Sequence, residues 1–358
     1  MRYTSEFEIR NTKVGPNNPT YFIADIASNH DGDINRAIDL IYLAKQAGAN
    51  AAKFQHFTAD SLVSDFGFRA LGPQQSHQET WEKSVYDTYR DATLNSDWTA
   101  TLREVCDAAD IAFLTSPYSL ELADEVDSYV PAYKIGSGDI TWIEIIQHIA
   151  NKGKPVLIAT GASTMDDVSR AVNVVTAKNP NVCVMQCNTN YTGTLENFRH
   201  IQLNVLHAFR SMFPGVILGL SDHTPSHTTV LGAVAMGACV IEKHFTDDTS
   251  RSGPDHAFSI SPIKWREMVE RTRELELALG TGLKQIEDNE AQTVVLQRRA
   301  IRTARDLNAG ETITKQDLIV LRPCPVDALP PYRIEELIGR SVRRNLKEGE
   351  HLTLADIL

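Results

Sequence analysis

The segment VIEKHF, residues 240–245, places three consecutive ionisable residues directly after two β-branched ones. Burying such side chains in a dry core without partners would cost several kcal/mol each. The three residues can be accommodated at the end of a strand that faces a water-filled cavity. His223 in LSDHT occupies a similar position. One such histidine is more often structural, but two, each beside an acid (Asp222 and Glu242), favour a divalent metal site.

Three lysines also interrupt apolar runs: Lys53 in AAKFQHF, Lys134 in AYKIGSG and Lys243 in CVIEKHF. A lysine in such surroundings is suited to act as a Schiff-base nucleophile or to bind a phosphate. Because strand side chains alternate between two faces, Lys53 shares a face with Gln55, whereas Lys243 faces away from Glu242. We therefore predict that Lys243 snorkels. Hydroxyl residues accompany the lysines and suit the many short hydrogen bonds of a phosphate; they are Ser116, Ser137, Thr160, Thr189 and Ser221.

The elements that position these residues alternate regularly. The predicted strands are residues 21–27, 51–57, 111–117, 132–138, 155–161, 182–188, 215–221 and 239–245, and helical periodicity is found at 34–47, 164–177, 203–213, 228–237 and 262–279. Eight such strands predict a parallel sheet with right-handed crossovers. In a chain of 358 residues we favour a closed (β/α)8 TIM barrel over an open doubly wound sheet, and no GxGxxG motif supports a dinucleotide site. The carboxyl ends of the strands would then form the active-site rim.

Two segments depart from this alternation. The connection at residues 58–97 is unusually long and carries Trp81, Val85 and Tyr89 at helical spacing, which predicts either a lid or an aromatic stripe packed on the rim. Near the C-terminus, DLNAGETITKQDL (306–318) recurs as NLKEGEHLTLADI (345–357). The turn residues in both copies predict a small β-rich module. We predict a barrel domain at residues 1–282, a linker at 283–298 and the module at 299–358.

Composition restricts the function further. The net charge of -11 argues against a nucleic-acid partner, and an anionic substrate would need a local cluster of cations. Neither a membrane-spanning run nor a signal-peptide pattern is found in the sequence. The five cysteines are an odd number without a paired zinc-binding spacing, so we predict a reduced, cytoplasmic protein.

Several motifs, in this order, resemble the sialic acid synthase family: NHDGD (29–33), AKFQ (52–55), YKIGSGDI (133–140), TGAST (160–164), SDHT (221–224), IEKHF (241–245) and GPDH (253–256). The resemblance covers nearly the whole chain. It implies a (β/α)8 barrel followed by a small SAF (antifreeze-like) domain. It also implies an enzyme that condenses phosphoenolpyruvate with an N-acyl hexose and forms a domain-swapped homodimer.

Carried over to this sequence, the resemblance assigns roles to individual residues. His223 and His244 match the two ligands of Mn²⁺ or another divalent cation. Glu242 and Asp255 match acids that contact the sugar or the metal-bound water, and Gln55 is included with the substrate-binding residues. The predicted catalytic residues are Asp25, Glu242, His223 and His244. Arg322 matches an arginine that reaches the sugar bound by the neighbouring subunit. The residues that match phosphoenolpyruvate contacts and their neighbours are Lys53, Ser116, Lys134, Ser137, Thr189, Tyr191 and Ser221.

The sequence departs from the family pattern at four places. Asp25 stands where the family usually has Glu, and Ala159 stands where a Ser usually precedes TG. The motif after the sixth strand is QCNT (186–189) instead of HCTS, and CPVDAL replaces the glycine-rich turn after Arg322. The shorter Asp25 side chain would need a water to reach a substrate, and Ala159 removes a phosphate contact worth about 1–3 kcal/mol.

The resemblance implies a nine-carbon 2-keto sugar acid as product, with an N-acetylmannosamine-like substrate favoured. The alternative is a pseudaminic or legionaminic acid synthase that uses a diacetamido-trideoxyhexose. TWEKSVYDTY is similar to pseudaminic-type and spore-coat relatives, whereas GPDH is similar to neuraminate and legionaminate synthases. Two readings from other classes stay open. One is a class I aldolase that forms a Schiff base between pyruvate and Lys53 or Lys134. The other is a non-catalytic sugar-binding protein that has lost its chemistry through Asp25 and Ala159.

Overall fold

The computed structural model describes residues 3–74 and 76–358 and divides into two compact units, Met1–Gly280 and Thr281–Leu358. The first unit begins with an antiparallel hairpin and continues with a closed ring of parallel strands. The hairpin strands are β1 (Phe7–Ile9) and β2 (Thr12–Val14). The ring comprises β3 (Tyr21–Asp25), β4 (Ala51–His56), β5 (Ala112–Pro117), β6 (Tyr133–Ile135), β7 (Val156–Ala159), β8 (Val182–Cys187), β9 (Ile217–Asp222) and β10 (Ala238–His244).

The ring closes because β10 pairs in parallel with both β9 and β3. The predicted (β/α)8 barrel is therefore confirmed, and the open sheet is wrong. Helices that follow the strands form the outer layer: α1 (Ile34–Gln46), α5 (Thr99–Ala108), α6 (Leu120–Glu125), α7 (Ile143–Asn151), α8 (Met165–Thr176), α9 (Val205–Met212), α10 (Thr228–Ala235) and α11 (Pro262–Leu279). The long connection after β4 contains three short helices: α2 (Ala59–Leu62), α3 (Asp65–Ala70) and α4 (Val85–Asp91). In the described residues, no helix is both long and apolar enough to span a bilayer.

Two apolar cores lie on either side of the strands. The outer core packs the strands against the helices and includes Ile241 and Phe54. The inner core fills one end of the barrel, where Phe7, Ile9 and Val14 of the hairpin join inward-facing strand residues such as Val240. The hairpin thus plugs the amino-terminal end of the barrel, which leaves the carboxyl ends of the strands as the polar mouth.

The same alternation divides the charged residues of β10 between the two sides. Val240 belongs to the inner core and Ile241 to the outer core. Glu242 and His244 therefore face the barrel interior, whereas Lys243 faces the helical layer. On β4, Lys53 and Gln55 face inward for the same reason, because Phe54 between them lies in the outer core. The predicted orientation of these five side chains is confirmed by the packing.

Lys243 does not snorkel, so that prediction is wrong. Its ammonium group is buried and lies 2.5 Å from Asp222 Oδ2, and it also donates to Thr224 O at 2.6 Å. Thr224 Oγ1 and Thr229 Oγ1 donate to the same carboxylate oxygen at 2.8 and 2.7 Å. Asp222 therefore belongs to a fully bonded ion pair in the outer layer and does not accompany His223 in the barrel interior.

The second unit contains α12 (Ala291–Gln297), β11 (Ala300–Thr303) and β12 (Leu318–Leu321). The helix lies within the segment predicted as a linker. Each copy of the repeat forms the same ion pair: Arg305 Nε lies 2.6 Å from Asp317 Oδ1, and Arg344 Nε lies 2.7 Å from Asp356 Oδ1. Leu307 and Leu346 exchange two backbone hydrogen bonds at 2.9 Å, so the two copies meet about a local pseudo-twofold axis.

The outer ion pair yields a stability prediction. Lys243→Met leaves the buried Asp222 carboxylate without its cation, and we expect the free energy of unfolding to fall by about 3–5 kcal/mol in urea titrations. The matched control is Lys83→Met, because the Lys83–Asp91 pair, also in the first unit, is largely exposed. Its loss should change stability by less than about 1 kcal/mol. Equal effects of the two variants would contradict the role assigned to the buried pair.

Candidate active site

A cavity of about 380 Å³ opens at the carboxyl ends of the barrel strands. Most of the side chains predicted as functional line it: Asp25, Lys53, Gln55, Ser116, Lys134, Ser137, Tyr191, Ser221, His223, Glu242, His244 and Asp255. They come from seven different barrel strands or the loops that follow them. The closed ring therefore brings together residues that are far apart in the sequence.

Two lysines and two carboxylates form the charged floor of this cavity. Lys53 Nζ lies 2.7 Å from Asp25 Oδ2, and Lys134 Nζ lies 3.1 Å from Glu242 Oε1. Lys53 Nζ is also 3.8 Å from Glu242 Oε1, which links the two pairs. All four side chains are at most 5% exposed, so the positive and negative charges compensate each other away from bulk water.

Some polar atoms of the floor have no hydrogen-bond partner among the described residues. Glu242 Oε2 and Ser116 Oγ are buried and make no hydrogen bond. Ser221 Oγ contacts the other oxygen of Glu242 at 3.4 Å. Ser137 Oγ accepts a hydrogen bond from Gly161 N at 3.0 Å, which fixes it at the cavity wall. Buried polar atoms are normally bonded, so the unpaired atoms mark the place where a polar ligand fits.

His223 and His244 are adjacent, with ring centroids 5.4 Å apart. His223 Nδ1 lies 2.8 Å from Asn188 O, a carbonyl that can only accept, so the proton is on Nδ1 and Nε2 carries the lone pair. Burial lowers the pKa of both imidazoles, which keeps them neutral. His244 Nδ1 is buried without a partner, and its Nε2 lies 3.6 Å from Asp25 Oδ2.

These features fit a metal ion held by two imidazoles. Neutral histidines with an outer hydrogen bond that fixes the tautomer are the usual ligands of transition metals. Around this site and elsewhere in residues 3–74 and 76–358, no group of three or more His, Cys, Asp or Glu side chains is arranged to hold an ion. The two histidines would therefore leave the other coordination positions to substrate and water.

An aromatic wall borders the histidine pair. The Tyr191 ring lies 4.4 Å from the His223 ring and 5.1 Å from Phe258, and Phe258 lies 4.8 Å from His244. The long connection after β4 adds Trp81 and Tyr89, whose ring centroids are 6.0 Å apart and which both line the cavity. Val85 is instead buried at the start of α4. The connection thus both packs on the rim and covers the cavity.

Two carboxyl groups near the mouth hold their protons more tightly than usual. Burial, reinforced by the negative charge of Asp25, raises the pKa of Asp255 to about 6. Burial also raises the pKa of Asp139 to about 6, and Lys134 opposes this shift only in part. Asp255 Oδ2 accepts a hydrogen bond from Ser28 N at 3.0 Å. Both carboxyl groups therefore release their protons near pH 6, above the usual range of an aspartate.

The amino-acid sequence matches the NeuB family over residues 40–284 and the SAF domain over residues 298–358. The chain belongs to the NeuB family. It is 34% identical over 338 residues to the N,N'-diacetyllegionaminic acid synthase of Legionella pneumophila, covering 93% of each chain. It is 30% identical over 340 residues to human N-acetylneuraminate-9-phosphate synthase, covering 94% of this chain and 92% of the relative.

Among solved structures, the chain is similar to an N-acetylneuraminic acid synthetase of Leptospira borgpetersenii in complex with citrate. The TM-score is 0.71 at 26% sequence identity, over 82% of this chain and 96% of that one. The predicted resemblance and the predicted order, a barrel followed by an SAF domain, are both confirmed. The matched regions include the strands that carry Lys53, Lys134, His223 and His244 as well as the second unit.

Three residues predicted for the site lie outside the lining. The Thr160 hydroxyl donates to Met185 O at 3.0 Å. Thr189 packs against the backbone of Gly161, where an added Cβ would collide with its methyl group. Arg322 is exposed and follows β12 in the second unit. Ala159 lines the cavity without a hydroxyl, and Cys187 lies beside it. Several further lining residues, most of them in loops, were not predicted from the sequence: Ser28, His77, Tyr118, Asp139 and Pro254.

The raised pKa of Asp139 predicts a pH-dependent stability. Because the folded protein binds this proton more tightly than the unfolded chain, Asp139 stabilises the fold most below about pH 4, and this contribution is lost as the pH rises through 6. In urea titrations, the decline should amount to up to about 3 kcal/mol. Asp139→Asn should remove that part of the decline between pH 4 and 7. An unchanged slope in the variant would contradict the shift.

Proposed function

We propose that the chain condenses phosphoenolpyruvate with the open-chain form of an N-acyl hexose, giving a nine-carbon sialic-acid-type 2-keto acid and inorganic phosphate. The observation that carries this proposal is the floor of the cavity, where two buried ammonium groups share Glu242 Oε1 and where Asp25 Oδ2 lies near both Lys53 Nζ and His244 Nε2. Membership of the NeuB family supports the same reaction.

The lysines are suited to hold phosphoenolpyruvate. Its phosphate and carboxylate would take the places that Asp25 and Glu242 occupy beside Lys53 and Lys134, so that the ammonium groups exchange one anionic partner for another. The unpaired hydroxyl of Ser116 provides a donor in the same region. Ser137 and Ser221 line the adjacent wall. Ala159 leaves this phosphate site with one hydroxyl fewer than the family pattern.

The histidine pair would bind Mn²⁺ or another divalent cation, which supplies Lewis-acid polarisation of the sugar carbonyl. Asn188 O keeps the proton of His223 on Nδ1 and so presents Nε2 to the cavity. Tyr191 and Phe258 pack against the imidazole rings and restrict their rotation. Asp255 and Gln55 line the same cavity and would contact the hydroxyl groups of the sugar.

The reaction forms one C–C bond and one C–O bond to water, and it breaks the C–O bond to phosphate. C3 of phosphoenolpyruvate attacks C1 of the aldehyde, whose oxygen takes up a proton and becomes a hydroxyl group. A water molecule adds to the cation that develops at C2 and loses a proton to a base. The base is Asp25 or Glu242, and Glu242 is favoured because its Oε2 is buried without a partner. Phosphate then leaves with the bridging oxygen, and C2 becomes the keto group.

The charges around the cavity favour a neutral hexose over a hexose phosphate. Among the described residues of the lining, the lysines are Lys53 and Lys134, and both lie in the floor that phosphoenolpyruvate would fill. The outer part of the lining instead presents Asp139 and Asp255. A second phosphate dianion would therefore lie beside carboxyl groups, and Arg322 would add only one positive charge. We propose N-acetylmannosamine or a diacetamido-trideoxyhexose as substrate.

The test is product analysis by mass spectrometry with phosphoenolpyruvate, Mn²⁺ and a panel of N-acyl hexoses, with and without a 6-phosphate. We expect one equivalent of phosphate per nine-carbon keto acid, and at least about 10-fold higher kcat/KM for a neutral hexose than for its 6-phosphate. His223→Ala should lower turnover by more than about 100-fold. A matched control is His148→Ala, since His148 lies in the outer helix α7 and contacts Asp124.

Trapping, binding and chelation measurements distinguish the remaining candidate functions. Borohydride trapping of pyruvate on Lys53 or Lys134, without phosphate release, would identify a Schiff-base aldolase. Sugar binding without turnover of phosphoenolpyruvate would identify a non-catalytic relative. Turnover that survives chelation in the His223→Ala protein would contradict the metal site.

We further propose that the active enzyme is a domain-swapped homodimer in which Arg322 reaches the sugar held by the partner subunit. The support is the family pattern, together with the exposure of Arg322. Charged guanidinium groups are well suited to hold sugar and carboxylate oxygens.

Mixing two inactive variants tests this arrangement. Arg322→Ala keeps an intact barrel, and His223→Ala keeps Arg322, so dissociation and reassociation of the mixture should give hybrid dimers with one complete site. We expect turnover to recover to roughly a quarter of the wild-type rate, the statistical share of complete sites. No recovery, with hybrid formation verified by native mass spectrometry, would contradict the exchange of Arg322.

A further inference from the structure

Outside the cavity, a group of polar side chains joins two of the loops that surround it. One loop connects β3 to α1, and the other follows β10. Asp31 of the first loop contacts two residues of the second: its Oδ1 lies 2.8 Å from His256 Nε2, and its Oδ2 lies 2.7 Å from Arg251 Nη2. We call this arrangement of Asp31, His256 and Arg251 the loop clasp.

The His256 ring is the central part of the loop clasp. It is completely buried, and both of its nitrogen atoms are engaged, because Nδ1 lies 2.8 Å from Thr246 Oγ1. Asp31 accepts the Nε2 proton, so in the neutral ring Nδ1 accepts from the threonine hydroxyl. A Cβ at Gly253 would come within 2.7 Å of the ring, so the ring packs directly on the backbone of its own loop. Asp31, Thr246 and the backbone of Gly253 therefore fix the orientation of the ring together.

Asp255, next to His256 in the chain, is held by the same two loops. Its carboxylate accepts from Ser28 N at 3.0 Å, and its carbonyl oxygen accepts from Ser259 Oγ at 2.7 Å. Ser259 Oγ in turn accepts from Asn29 Nδ2 at 2.9 Å. The Asp255 carboxyl group thus reaches the cavity lining only while the loop after β10 stays docked on the loop after β3.

Arg36 provides a second link at the start of the same loop. It makes two hydrogen bonds to the Asp247 carboxylate, at 2.5 and 3.0 Å, and donates from Nε to Asn29 O at 2.7 Å. This link lies before residue 250, so it fixes where the loop leaves the barrel. Arg36 Nε also lies 3.1 Å from Asp31 Oδ2, so this link and the loop clasp share the Asp31 carboxylate. The contacts of Asp31 with Arg251 and His256 reach the distal part of the loop, which includes Asp255.

We propose that Asp31 is a positioning residue for the acyl-hexose site: it holds His256 and thereby orients the Asp255 carboxyl group toward the sugar. This inference rests on the proposed function, in which Asp255 contacts the hexose. Outer hydrogen-bonding partners of this kind determine how accurately a polar group is presented to a ligand. The phosphoenolpyruvate end of the cavity does not depend on the loop clasp, because Lys53 and Lys134 stand on barrel strands.

The test variant is Asp31→Ala. Asp31 has a φ of 52°, but Ala27 and Ala162 adopt φ values of 47° and 49° in the same chain, so alanine is tolerated in this conformation. We expect the KM for the acyl hexose to rise roughly 10- to 100-fold. The KM for phosphoenolpyruvate should stay within about 2-fold of the wild-type value. Asp39→Ala, which removes an exposed carboxylate on α1, is the matched control and should leave both values unchanged.

A double-mutant cycle asks whether Asp31 acts through Asp255. If it does, Asp31→Ala in an Asp255→Ala background should change the KM for the hexose by less than about 2-fold. Asp31→Asn, which keeps an acceptor for His256, should lie close to the wild type. Additive effects in the cycle, or equal rises of both KM values accompanied by a large fall in Tm, would overturn the positioning role and leave Asp31 as a general stabiliser of the fold.

Amide hydrogen exchange provides a readout that does not depend on turnover. Asp31→Ala should increase exchange in the loop after β10, whereas the barrel strands and the Asp39→Ala control should keep wild-type protection. Unchanged exchange in this loop would overturn the loop clasp. If no acyl hexose is a substrate, the proposed function fails on its own account, and the exchange result still decides whether Asp31 holds the loop.

Discussion

The site depends on compensating four buried charges within a closed ring of strands. Lys53, Lys134, Asp25 and Glu242 are nearly inaccessible, and any one of them alone would be unfavourable at that depth. Strand alternation directs all four into the barrel, and the hairpin formed by β1 and β2 fills the opposite end with apolar side chains. The barrel can therefore keep a highly polar cluster at one end because the other end provides the hydrophobic core.

The two ion-pair systems of this barrel differ in how completely their atoms are bonded. Asp222 and Lys243, in the outer layer, leave no polar side-chain atom without a partner among those described. In the inner ion-pair system, Glu242 Oε2 has no partner among the described residues, although Glu242 is the neighbour of Lys243 in the chain. A fully bonded ion pair stabilises the fold, whereas an incompletely bonded one leaves a polar atom that can bind a ligand. This contrast separates the structural from the functional charges of the consecutive residues 242 and 243.

Much of the site could be predicted from the sequence, because period-two alternation determines which strand residues share the barrel interior. The error at Lys243 has a specific cause: Asp222 lies opposite it in the register between β9 and β10, and a pairing across strands does not appear in the local pattern. Asp139 and Tyr118 were not predicted because they lie in loops after strands. Loops have no periodic pattern from which the position of a side chain can be inferred. The hairpin plug consists of strands of three residues, too short to give an alternating signal.

The strands and the loops position different parts of the proposed site. The groups suited to phosphoenolpyruvate stand on β4 to β6 or just after them, where the backbone hydrogen bonds of the ring restrict movement. The groups nearest the proposed sugar come from the loop after β3, the long connection after β4 and the loop after β10. Changes in those loops can alter the shape and charge of the sugar site without disturbing the compensated floor. The relatives include proteins named for legionaminic acid and for N-acetylneuraminate 9-phosphate, and variation confined to such loops is a physical route to different sugar specificities on one barrel.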